Sequence, residues 1–111
     1  MKEFVLIFRM NQQSSASAPT PAQLQERMQW LSSLVEQDKV ADKGYTLPPQ
    51  QARLIKSDYT VADGPHAAAK EFVSGFLVIR ATDIEEAVAI AKTNPVFKAG
   101  GNVEVREGIK R

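Results

Sequence analysis

Residues 3–9, Glu-Phe-Val-Leu-Ile-Phe-Arg, limit the possible folds more than any other stretch of this chain. Their β-branched and aromatic content predicts a strand. Its two alternating sets are Phe4, Leu6, Phe8 and Val5, Ile7, Arg9, and both are largely apolar. A strand of this kind needs cover on both sides. In an antiparallel α+β domain, helices cover one face, and the sheet of a second subunit is the economical cover for the other.

The remaining elements follow from periodicity and punctuation. Residues 10–19 have no apolar period and read as a flexible loop. Thr20-Pro21-Ala22-Gln23 has the form of a capping box with proline at the first helical position. Leu24, Met28, Leu31 and Val35 follow as one apolar stripe on a helix running to about Gln37, with Trp30 and Leu34 at its edge. Gly44 and Pro48-Pro49 forbid a continuous helix in the middle of the chain, where two short extended segments, Ala52 to Lys56 and Tyr59 to Ala62, turn about Ser57-Asp58. Glu71 to Ala81 reads as a long strand in which Gly75 marks a bulge or a close backbone approach. Asp83 and Glu86 start a second helix with Ile84, Ala87, Val88 and Ala91 on its buried face, and Asn94-Pro95 stops it. Gly100-Gly101 then turns the chain into a last strand, Asn102 to Arg106. This order predicts a single domain over residues 1–111. Its class is α+β: a ferredoxin-like split β-α-β subunit with an antiparallel sheet and two helices on one face.

Composition excludes several kinds of chemistry. Fourteen basic against thirteen acidic residues leave a net charge of +1, too weak a field for a general nucleic-acid binder, so no nucleic acid is expected as a partner. The chain has no cysteine and one histidine, His66, so it offers no disulfide, no thiolate nucleophile and no multi-histidine metal cage. Neither a metal nor a cofactor is expected. The longest apolar run, Phe4 to Phe8, falls far short of the roughly 20 residues of a membrane span, so no membrane partner is expected either. The opening residues lack the pattern of a secretory leader, and the expectation is a cytoplasmic protein.

Asp63-Gly64-Pro65-His66 is the one local cluster that could carry chemistry. Turn formation alone accounts for the first three residues: Asp accepts backbone N–H groups, Gly supplies a positive φ and Pro fixes the next step. The functional alternative makes Asp63 the residue that orients His66, with His66 as a general base near neutral pH. Arg9, Arg80 and Arg106 close strands and Arg53 sits inside one. Strand-end arginines can converge on an anion, but solvated edge charges that discourage aggregation are the commoner use and are expected here.

Taken in order, several short motifs resemble those of the YCII-related proteins, in particular their DGPF-domain branch. They are Met1 to Arg9, Leu47-Pro48-Pro49, Thr60 to Pro65, Lys70-Glu71, Ser74-Gly75-Phe76, Asp83 to Ala87, Asn94-Pro95 and Val103 to Arg106. The resemblance implies a ferredoxin-like subunit that pairs with itself as a dimeric α+β barrel, in a family without one common reaction. The chain departs from the pattern where His66 replaces the aromatic residue of the name-giving motif and where Ala68 replaces an acidic one. Gln23 and Asn94 occupy the positions that resemble the family's proposed His and Asp acid/base pair. Neither amide titrates, so that mechanism does not transfer, although both can hydrogen-bond a ligand. Two functions remain. One is a small-molecule-binding or regulatory homodimer with Gln23, Asp63, His66 and Asn94 as polar contacts in a cleft between sheet and helices. The other is a cofactor-free enzyme, oxygenase- or isomerase-like, using His66 as base.

Overall fold

A computed structural model of the chain describes residues 1–11, 19–64 and 71–111. Six strands and two α-helices follow in the order β1 (Lys2–Asn11), α1 (Pro21–Glu36), β2 (Val40–Thr46), β3 (Arg53–Ile55), β4 (Val61–Asp63), β5 (Glu71–Ala81), α2 (Ile84–Ala91) and β6 (Asn102–Glu107). A 3-10 turn, Pro95–Ala99, joins α2 to β6. The main sheet has the order β2-β5-β1-β6, antiparallel throughout, and β3 and β4 form a separate small hairpin. Without that hairpin the connectivity is the ferredoxin-like split β-α-β.

The register explains the core. Phe4 faces Ile79 and Leu6 faces Leu77 across β1 and β5, while Leu6 also faces Val105 of β6. These side chains meet Leu34 of α1 and Ala87 and Ala91 of α2, so both helices cover the same face. The small alanines let α2 sit close to the sheet. Two caps fix the helix starts. Thr20 Oγ1 accepts from the Gln23 amide at 3.1 Å while Gln23 Oε1 accepts from Thr20 N at 2.9 Å. Asp83 Oδ1 accepts from the Glu86 amide at 2.9 Å.

Several expectations need correction. The second strand of the main sheet is β2, in a stretch where the sequence shows no alternation, and the two short extended segments predicted nearby form the hairpin outside the sheet. Met10 and Asn11 belong to β1, paired with Phe72 and Glu71, and not to the loop predicted from residue 10. Residues 12–18, the rest of that loop up to Ala18, lie outside the described residues. On α1 the expected stripe is met only at Leu31: Leu24, Met28 and Val35 are 46%, 69% and 43% exposed, and the helix rests on Leu31 together with Leu34 and Trp30, which were expected at the edge. At 100° per residue the two faces differ by roughly 90° around the helix. Ile84, placed on the buried face of α2, is also exposed.

The other sheet face carries Val5, Ile7, Val73, Phe76 and Val78, all half-buried, and among the described residues no helix lies over them. A molecule only 19 Å across its thinnest direction has room for a sheet and one helical layer. At the β6 side this face ends in charge. Arg9 donates to Glu104 Oε1 from Nη2 at 2.8 Å and from Nε at 3.2 Å, and Arg106 also donates to Glu104. Those bonds, Arg9's first, hold the Glu104 carboxyl below its ordinary pKa. A depressed pKa adds stability that is complete above the unfolded glutamate value and lost as pH falls through the folded one. Between pH 6 and pH 3 the melting temperature of the unsubstituted protein should therefore fall further than that of Glu104→Gln. Parallel melting curves for the two would refute the link.

Candidate functional site

The sequence candidates do not converge on one place. Gln23 is committed to the α1 capping box and lines a small recess with Glu26, Arg27, Pro95 and Lys98. Asn94 caps the 3-10 turn, its Oδ1 accepting from the Val96 amide at 2.7 Å, and lines a different and larger cleft. Asp63 sits at the end of the β3–β4 hairpin with an exposed carboxylate 3.5 Å from Arg53 Nε, and it lines neither cavity. His66 lies outside the described residues.

The larger cleft, about 330 Å³, opens between α1 and the sheet. Phe8, Met10, Leu31, Leu77 and Val96 contribute apolar wall, and Trp30 is held in place by its indole N–H, which donates to Thr93 Oγ1 at 2.7 Å. That hydroxyl donates in turn to the Ile90 carbonyl at 2.6 Å, so the end of α2 orients an α1 side chain. The floor is shaped by irregular backbone. A bulge displaces Ser74 from the β1–β5 ladder, and its hydroxyl donates to the Phe8 carbonyl at 3.3 Å. A Cβ on the adjacent Gly75 would stand 2.8 Å from the Tyr45 carbonyl oxygen, which is the close approach its sequence context suggested.

The polar groups around these walls include Arg27, Lys43, Ser74 and Asn94. No Asp, Glu or His stands among the described residues that line the cleft. Among the described residues there is also no cluster of His, Asp or Glu able to hold a metal ion, and no helix long and apolar enough to cross a membrane. The YCII-related domain matches residues 3–109, nearly the whole chain. The chain belongs to the YCII-related family. No curated protein matches it.

Within this YCII-related domain, sequence reasoning picked out Asn94 but missed Arg27 and Lys43. A signal for Arg27 was present. It shares a helix face with Trp30, Leu31 and Leu34, at steps of three, four and seven, so a lone guanidinium stands in the row that meets the sheet. Lys43 gave no signal, because β2 was not recognised as a strand. The strand-end arginines proved to be ion-paired: Arg80 with Asp38 at 3.3 Å, and Arg9 and Arg106 with Glu104.

Proposed function

We propose that this YCII-related protein is a homodimeric small-molecule-binding or regulatory protein whose ligand occupies the cleft between α1 and the sheet. The observation that carries the reading is the cleft itself. Its volume lies at the lower end of the range for ligand sites, about 300–1,000 Å³, and it combines apolar walls with a few placed polar groups. The reading stops at binding, because general acid/base work needs a titrating group held in reach of the ligand and oriented by a partner.

The homodimer rests on the uncovered sheet face. Val5, Ile7, Val73, Phe76 and Val78 form an apolar centre, and Glu3, Arg9, Arg80, Glu104 and Arg106 supply charges of both signs around it. A second copy of the same face, related by a two-fold axis, matches such a mixed rim to itself. Two sheets back to back give the barrel that the DGPF-domain motifs imply, and the motifs from Thr60 to Pro65 favour that branch of the family. A cytoplasmic location fits the same reading.

The test is an NMR fragment screen on the intact protein. Fragments that bind should shift the Trp30 indole N–H and the Gly75 amide together. A library that moves neither resonance at millimolar concentration would overturn the assignment of the site.

A further inference from the structure

The cations of the described residues are not equivalent. Arg9, Arg53, Arg80 and Arg106 each have a carboxylate within ion-pair distance. Among the described residues, Arg27 has none, although it stands where α1 borders both the cleft and the smaller recess. Lys43, from β2, lines the same cleft and is also without a carboxylate partner among the described residues. The cleft thus gathers two positive charges and no acidic side chain, in a chain whose charges otherwise nearly cancel. A pair of uncompensated cations beside apolar walls favours a ligand that brings its own negative charge.

Resting on the binding reading above, we propose that the cleft selects a small monocarboxylate with an aromatic or branched aliphatic body, and that Arg27 and Lys43 are its anion contacts. The guanidinium can take a carboxylate through two parallel N–H bonds, whereas the ammonium acts as a point charge. A single charged end suits the cleft better than a ligand charged at both ends does, because a second charge placed against Phe8, Leu31, Leu77 or Val96 would be desolvated without a partner. The body of the ligand lies against the wall that includes Trp30 and Leu31, and the Thr93 hydroxyl keeps the indole in place for it.

The probes are phenylacetate and its neutral isostere phenylacetamide, titrated into the full chain by calorimetry with the Trp30 indole N–H as a parallel NMR reporter. Phenylacetate should bind about tenfold or more tightly than the amide, and the preference should shrink as salt rises. Arg27→Gln should abolish most of that preference and Lys43→Gln part of it. Both side chains lack described partners, so circular dichroism and melting temperature should not change. Equal binding of acid and amide at Trp30, or a preference that survives both substitutions together, would overturn the anion assignment and leave the binding site standing. Silence of the Trp30 resonance toward both probes, while other fragments of the screen still shift it, would overturn the monocarboxylate assignment alone, and silence toward the whole library would overturn the two readings together.

Discussion

Ile7→Lys is expected to run as a 12.2 kDa monomer in light scattering, where the unsubstituted protein, as the proposed dimer, should run at twice that mass. Ile7 lies at the middle of the uncovered sheet face, opposite Phe76 on one side and Glu104 on the other. Its side chain makes no part of the buried cluster beneath the helices, so the subunit should keep its fold and its far-ultraviolet dichroism. In the proposed dimer, two lysines would enter an apolar contact around the two-fold axis, and an uncompensated buried charge at an interface centre costs several kcal/mol. An obligate contact of this type exceeds roughly 1,000 Å² in total. An unsubstituted protein that is already monomeric at micromolar concentration would remove the dimer and leave the cleft unaffected.

Gly44→Ala should unfold the protein at a much lower temperature. Gly44 has φ +67°, and a Cβ there would stand 1.9 Å from the Phe76 carbonyl oxygen, inside the partner strand's backbone. Strain at a left-handed position costs about 1–3 kcal/mol, and overpacking adds a similar amount unless β2 leaves β5. A loss of about 3 kcal/mol or more corresponds to a fall of roughly 10–20 °C in a domain of this size. Gly64→Ala is the control: its nearest neighbours would be 3.6 Å away, and its φ is not left-handed, contrary to the positive φ expected of it in the turn after Asp63. Equal melting temperatures for the two variants would mean that β2 does not approach β5 as described.

What the sequence showed and what it hid have a common cause. Glu71 to Ala81 was legible to its end residues because a stretch so rich in β-branched and aromatic residues has few other uses, and the Thr20 and Asp83 caps were legible because capping is chemistry between neighbours. β2 was hidden because two irregularities, between Val40 and Asp42 and between Asp42 and Tyr45, break the two-residue period that identifies a strand. Gly44, which reads as a breaker, is where the strand needs its positive φ. The α1 stripe was real but misassigned: periodicity identifies an apolar face, and tertiary packing decides which face meets the sheet. The site was less legible still, because the cleft joins α1, β2, β5 and the turn at Asn94, which only the fold brings together.

The position of β1 has a kinetic consequence. Its two neighbours are β5 and β6, so Phe4 must find Ile79 and Leu6 must find Val105 across most of the chain's length. Chains dominated by such distant pairings close large loops before any contact compensates the entropy, and they fold more slowly than helical domains of equal stability. Of these six strands β1 is made before the others and waits longest for its partners, with apolar side chains on both faces and two unpaired edges. Lys2, Glu3 and Arg9 bracket that run with charge, as residues that guard an exposed strand against self-association do.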